Sequence, residues 1–268
     1  MSAVRARNRP AGAPAQPESG SRRVFLAGAS GAIGRRLCRL LVADGWEVTG
    51  TTRSPEKAAL LRALGVAPVV VDVYDAEALA RAVVAARPDV VIHQLTDLPP
   101  GLDPAQMPAA RVRNARLRDI GTRHLVAAAV AAGAKRLVAQ SIAFAYAPGP
   151  LPYAEDAPLY VDAPDEAARI NARGAASLEQ QVLAAPLTGI VLRYGRFYGP
   201  GTGVRAPPSG GAVHVDAAAD AARRAAIRGR AGIYNIAEED GTVSSRKARA
   251  ELGWCADFRY RADPASTN

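Results

Sequence analysis

From Arg22 onward, short apolar runs alternate with longer stretches of helical period. Arg23–Ala27 is an apolar run that enters a glycine-rich turn, and Ile33–Ala43 carries apolar residues at helical spacing with Asp44-Gly45 as its stop. The same reading predicts strands at Glu47–Thr52, Pro68–Val71, Val90–Leu95, Arg136–Ser141 and Gly189–Tyr194. It predicts helices at Pro55–Leu64, Ala76–Ala86, roughly Ala105 to Ala132, and Asp165–Ala184, with a Pro-rich loop over 147–164. The strands show little polar alternation, as strands covered on both faces do. Strands separated by helices of this length need right-handed crossovers. The pattern therefore predicts an α/β fold, a doubly wound parallel sheet over 22–195. Residues 1–21 are Ala, Pro, Gly, Ser and Arg without periodicity and read as a disordered tail.

Composition narrows the classes. At 268 residues and 49% hydrophobic, the chain can bury a sizeable core, which excludes disorder along most of its length. No run approaches the roughly 18 apolar residues of a membrane span, and no apolar core of a signal peptide precedes Val24. The two cysteines, Cys38 and Cys255, make no disulfide framework, and three histidines make no His-rich metal site; a cytoplasmic, metal-free protein is expected. The net charge is +9, and of 34 basic residues only Lys57, Lys135 and Lys247 are lysines. The basic residues are scattered and aromatics are 5%, too few for base-stacking platforms, so a nucleic-acid partner is not expected.

The first turn carries the clearest chemistry. Gly28-Ala29-Ser30-Gly31-Ala32-Ile33-Gly34 follows a strand and opens a helix. Gly28 permits a tight turn, Gly31 lets backbone approach a pyrophosphate, and Gly34 lets the helix pack closely on the sheet. The helix N-terminus then offers unpaired N–H groups to phosphates, so Gly28, Ser30, Gly31, Ala32 and Ile33 are predicted to hold a dinucleotide. The second strand ends Thr51-Thr52-Arg53-Ser54, with no acid before Glu56 to take a ribose 2′-hydroxyl. Arg53 can instead pair with a 2′-phosphate, which favours NADP over NAD, although it also reads as a solvated arginine. Asp72 and Val73, at the end of the third strand, sit where an adenine ring would rest; Asp72 reads equally as a helix cap.

Several further motifs appear in order: Val-Ile-His-Gln-Leu (91–95), Gly-Thr-Arg-His-Leu-Val-Ala-Ala-Ala (121–129) and Ala-Gly-Ala-Lys-Arg-Leu-Val-Ala-Gln-Ser (132–141). They are followed by Leu-Arg-Tyr-Gly-Arg-Phe-Tyr-Gly-Pro-Gly (192–201), His-Val-Asp (214–216) and Leu-Gly-Trp (252–254). With the glycine loop, these resemble the extended and atypical short-chain dehydrogenase/reductase superfamily, in its NAD-dependent epimerase/dehydratase branch, over about 22–255. The resemblance implies that Gln94, Leu95 and Thr96 lie along the nicotinamide ribose and that Ser141 ends a strand at the catalytic edge. It also implies a homodimer through the helices at about 105–132 and 165–184. His93 reads as a satisfied strand-end histidine, and His214 as a support for the loop near the substrate.

The departures matter as much. The superfamily's catalytic tyrosine and lysine, four residues apart, would fall at Asn171 and Ala175; no tyrosine in the chain has a lysine four residues on. The asparagine that often precedes Gly-Thr is Arg118. Only 13 residues separate Pro200 from His214 and eight separate Asn235 from Ser244, so the C-terminal substrate lobe that the resemblance implies, over 196–268, is expected to be small. Ser141 is the candidate to hydrogen-bond a substrate oxygen, and Tyr146 the candidate replacement proton donor, with Tyr153 and Tyr160 on the same loop. Each tyrosine reads equally as loop packing. Arg169 and Arg173, which flank the lost tyrosine, read as a solvated helix face.

Three functions follow. The first is an NADPH-dependent reductase, epimerase or dehydratase acting on a small organic substrate with a rearranged acid/base set. The second is a dinucleotide sensor without turnover. The third is a non-redox isomerase, cyclase or lyase on the same fold.

Overall fold

A computed structural model describes residues 22–260 of the protein; the tail expected over 1–21 lies outside them. Nine strands and seven α-helices alternate along the described residues. They are β1 (Arg23–Ala27), α1 (Ala32–Ala43), β2 (Glu47–Thr52), α2 (Glu56–Ala63), β3 (Ala67–Val70), α3 (Ala76–Ala86), β4 (Val90–His93) and α4 (Met107–Arg116). Then come α5 (Thr122–Ala131), β5 (Arg136–Ile142), α6 (Glu166–Ala184), β6 (Thr188–Tyr194), β7 (Arg196–Tyr198), β8 (Ala212–His214), α7 (Val215–Ala225) and β9 (Gly232–Ile236).

Seven strands form one parallel sheet in the order β3-β2-β1-β4-β5-β6-β9. The expected doubly wound fold is present. The order in which strands are added reverses between β1 and β4, and a crevice opens there at the carboxyl ends of the strands, where such sheets bind ligands. The two faces are read directly from alternation. Val24 and Leu26 of β1, Ile92 of β4 and Val138 of β5 bury against α1 and α7, while Phe25, Val91, Leu137 and Ala139 bury against the α3, α5 and α6 face.

The segment after 195 is not a lobe apart. β9 pairs with β6, Ile190 opposite Gly232, and α7 packs on the face that also carries α1. Arg36 of α1 ties the two helices by donating to Asp216 at 2.6 Å. Only the short parallel pair β7–β8 and its loops stand off the main sheet. The helix expected over 105–132 runs without a break from Met107 to Ala131, with a π turn at Leu117–Gly121 between its α4 and α5 parts. β4 ends at His93 rather than Leu95, because the His93 ring accepts the Leu95 N–H at 3.2 Å and turns the chain out of the strand.

Candidate active site

A cleft of about 860 Å³ occupies the crevice. Its floor is the glycine loop. An added Cβ on Gly34 would stand 2.2 Å from the Gly28 carbonyl oxygen, and one on Gly28 would stand 2.7 Å from that of Gln94. Both positions admit only glycine, and α1 thereby begins hard against the sheet. Gly31 caps α1 with no side chain, so its first-turn N–H groups stay open to an anion. The loop is tied to β2 by the Gly28 N–H donating to Thr51 Oγ1 at 3.1 Å and by Ser30 Oγ lying 3.2 Å from Thr52 Oγ1.

Gly28, Ser30, Gly31, Ala32 and Ile33 all line the cleft. Arg53 lines it with Ser54 and Lys57, and its side chain is 59% exposed, held only by Asp97 at 3.4 Å. Val73, Gln94, Leu95 and Thr96 line it as well. Gln94 is buried, and its Oε1 meets no hydrogen-bond donor among the described residues. That orphaned acceptor and the glycine cradle are the features a dinucleotide would complete. Asp72 is different: it is exposed, outside the cleft, and accepts the Tyr74 N–H at 3.0 Å in a local turn. The cap of α3 is Asp75, which accepts from the Ala78 N–H at 2.9 Å.

Both residues expected to do the chemistry point elsewhere. Gln140 and Ile142 of β5 face the cleft, so the intervening Ser141 faces α6. Ser141 is fully buried and donates to Glu179 Oε1 at 2.6 Å. Glu179 in turn receives Arg193, Nε to Oε1 at 2.9 Å and Nη2 to Oε2 at 2.7 Å. Tyr146 is also buried behind the cleft wall. It donates to Asn235 Oδ1 at 2.6 Å, stacks on Tyr153 at 4.9 Å between ring centres, and lies under the Arg193 guanidinium. Burial raises its pKa, which makes it a weaker acid still. Neither Ser141 nor Tyr146 lines the cleft; each is held in a buried hydrogen bond beside it.

Asn171, at the position of the lost tyrosine, lines the cleft, while Ala175, on the same helix, is fully buried. His93 is fully buried: its Nδ1 accepts from Leu95, leaving Nε2 to donate to Thr122 Oγ1 at 3.1 Å. Desolvation, with the nearby Arg118 charge, lowers its pKa to about 4, so it stays neutral. His214 caps α7 by accepting the Asp216 N–H at 3.2 Å.

One wall of the cleft was not foreseen. Met107, Arg111, Asn114 and Arg118 recur at spacings of four, three and four along α4 and the π turn, and all four line the cleft. That helical spacing is visible in the sequence. Phe144, Phe197 and Ile142 give the cleft an apolar part, with the Arg196 guanidinium 4.5 Å from the centre of the Phe144 ring. The described residues of the lining include no carboxylate, imidazole, phenol or thiol. Its charged groups are Arg53, Lys57, Arg111, Arg118 and Arg196.

A doubly wound sheet with this cradle at its switch point is a dinucleotide-binding protein, and the comparisons agree. Residues 28–197 match the NAD(P)H-binding family, and the chain belongs to it. A 3-diazoavenalumate denitrifying reductase of a Streptomyces species is 46% identical over 230 residues, covering 85% of this chain and 72% of that protein. Among solved structures, the UDP-glucose 4-epimerase of Thermotoga maritima superposes with a TM-score of 0.71 at 18% identity, over 88% of this chain and 94% of that one. The NAD complex of the Thermus thermophilus UDP-glucose 4-epimerase superposes at 0.68 and 22% identity, over 89% and 95%. These likenesses establish the short-chain dehydrogenase/reductase-like fold. No helix of the described residues is long and apolar enough to cross a membrane.

Proposed function

We propose that the protein is an NADPH-dependent reductase that delivers hydride to an electron-poor organic substrate without supplying a proton. The observation that carries this is the cleft lining: among the described residues it holds no carboxylate, imidazole, phenol or thiol. Epimerisation, dehydration and carbonyl reduction each move a proton, and enzymes speed that transfer with a positioned acid or base. Replacement of a diazonium group by hydrogen does not. The carbon–nitrogen bond breaks with its electron pair, dinitrogen leaves as a neutral molecule, and the incoming hydride supplies the pair of the new carbon–hydrogen bond. The relative that acts on 3-diazoavenalumate is named for a reduction of this kind.

In this reading the α1 N-terminus and Gly31 hold the pyrophosphate, Arg53 with Ser54 and Lys57 receives the 2′-phosphate, and Gln94 to Thr96 run along the nicotinamide ribose. When bound, the reduced nicotinamide supplies the hydride. The apolar part of the cleft, from Ile142, Phe144 and Phe197, excludes water from the transfer, and Asn171 offers an amide where the proton donor would stand. The reading also carries a homodimer through the α4–α5 and α6 helices, supported by the exposed Val112, Val130 and Leu183. Light scattering that returns only monomer removes that part.

The test is turnover of an arenediazonium salt with NADPH deuterated at nicotinamide C4, in ordinary and in heavy water. Deuterium in the arene from the cofactor, none from heavy water, and no solvent isotope effect are expected. Reduction of ketones with a strong solvent isotope effect, and none of the diazonium salt, would sink the reading.

A further inference from the structure

We propose that Arg118, with Arg111 above it on the same wall, is an anion-receiving site that selects substrates bearing a carboxylate on a planar apolar body. The inference rests on the reductase reading for the cleft's purpose but not for its chemistry.

Arg118 is 6% exposed, yet it lines the cleft from the π turn between α4 and α5. π turns inside helices frequently mark functional sites. A buried guanidinium needs a counter-charge, and Glu179 is the carboxylate that acts on it. Both Glu179 oxygens, however, are taken by Arg193, and one also by Ser141. Among the described residues Arg118 makes no side-chain hydrogen bond and no ion pair, and Glu179 acts on it only through space. Its charge is thus left without a direct partner in the place where a ligand would enter.

The backbone is arranged to put it there. A Cβ on Gly174 of α6 would stand 3.0 Å from Ala115 Cα and 3.6 Å from Arg118 Cδ. Glycine at 174 therefore lets α6 close onto α4 while leaving room for the arginine stem. Arg111 lies two helical turns earlier on the same face and likewise has no carboxylate within ion-pair distance among the described residues. Burial lowers the Arg118 pKa to about 10, so it remains a cation at neutral pH and is not a substitute acid.

The anion is not one of the cofactor's. The phosphate-holding groups, the α1 N-terminus and the Arg53–Lys57 loop, belong to the β1–β2 half of the crevice. Arg118 follows β4 and packs against α6, the helix that carries Asn171. A planar guanidinium matches a carboxylate with two parallel hydrogen bonds. Leu98, Leu102, Met107, Ile142 and Phe144, which line the same cleft, ask for a flat apolar body attached to it.

The experiment is equilibrium binding, with no turnover, of cinnamate and of the uncharged cinnamide to the NADP-saturated protein by calorimetry. Wild type should prefer cinnamate by on the order of 10–100-fold. Arg118→Met should abolish the preference while NADPH affinity stays within about twofold, and Arg118→Lys should restore part of it. Arg111→Met should reduce the preference and stands in if Arg118→Met fails to fold by its melting curve. A wild type that does not prefer cinnamate overturns the proposal. So does an Arg118→Met protein that keeps the preference or loses NADPH instead. Because nothing here turns over, carboxylate selection without diazonium reduction rejects only the reductase reading. Diazonium reduction without carboxylate selection rejects only this one.

Discussion

The carboxylate of Glu179 grips the guanidinium of Arg193 by two hydrogen bonds, at 2.9 and 2.7 Å, between α6 and the sheet, with both side chains about 95% buried. Removing one partner leaves the other charge buried and unpaired, so Glu179→Gln should destabilise the protein by about 3–5 kcal/mol. Ser141→Ala removes one hydrogen bond to the same carboxylate and should lose about 1–2 kcal/mol, with NADPH affinity unchanged. Urea unfolding curves with parallel cofactor titration check both. A Ser141→Ala protein of wild-type stability but lost turnover would return Ser141 to the reacting centre.

Tyr146 lies behind the wall, so Tyr146→Phe should keep its rate of turnover and its cofactor affinity. The lost bond to Asn235 should appear as about 1 kcal/mol of stability, since the Asn235 amide still donates to the Tyr153 and Ser244 carbonyls at 3.2 Å. A rate loss of about 10²-fold at unchanged melting temperature would make Tyr146 the proton donor after all.

Arg53 is the side chain that should separate the two cofactors. Arg53→Ala is expected to weaken NADPH by on the order of tenfold or more and to leave NADH alone. Fluorescence titration of each reduced cofactor decides it; equal losses for both refute a contact to the 2′-phosphate.

His93 makes stability depend on pH. Its pKa falls from an ordinary 6.5 to about 4 in the folded protein, through desolvation first and the Arg118 charge second. Between those values the unfolded chain binds a proton that the folded one refuses, so stability declines as pH drops from about 6.5 towards 4. The loss should reach on the order of 3 kcal/mol, with no His93 contribution to slope above neutrality. Urea unfolding at pH 7 and pH 4.5 measures it, and His93→Gln, which keeps a polar group at Thr122, should show a smaller decline than wild type. Equal declines in the two proteins would assign the effect to other groups.

The sheet and its cradle could be read from the sequence because their causes are local. Apolar runs, helix stops and the 28–34 glycines each act within about a dozen residues. β9 was hidden because Gly232–Ile236 carries Asn235 and Tyr234 in its interior, and their partners, Tyr146 and Glu251, lie outside the strand. The catalytic candidates failed for the same reason. Which way Ser141 points is decided by Glu179 and Arg193, and Tyr146 is captured by Asn235 across 89 positions. Arg118 and Asn171 were visible as departures from a family pattern. That they share a cleft comes only from α6 closing onto α4 at Gly174.

β9 is the last strand of the described chain, yet it closes the open edge of β6. During synthesis the sheet cannot reach full width until Ile236 has left the ribosome, long after the glycine loop has emerged. Through that interval β6 presents an unpaired row of backbone groups, a template for pairing with a neighbouring nascent chain. The cleft walls from Gly195 to Val204 emerge in the same interval, so competence to bind ligand arrives well after the glycine cradle has been made. A fragment ending near residue 195 would carry the dinucleotide cradle on a sheet whose outer strand invites association.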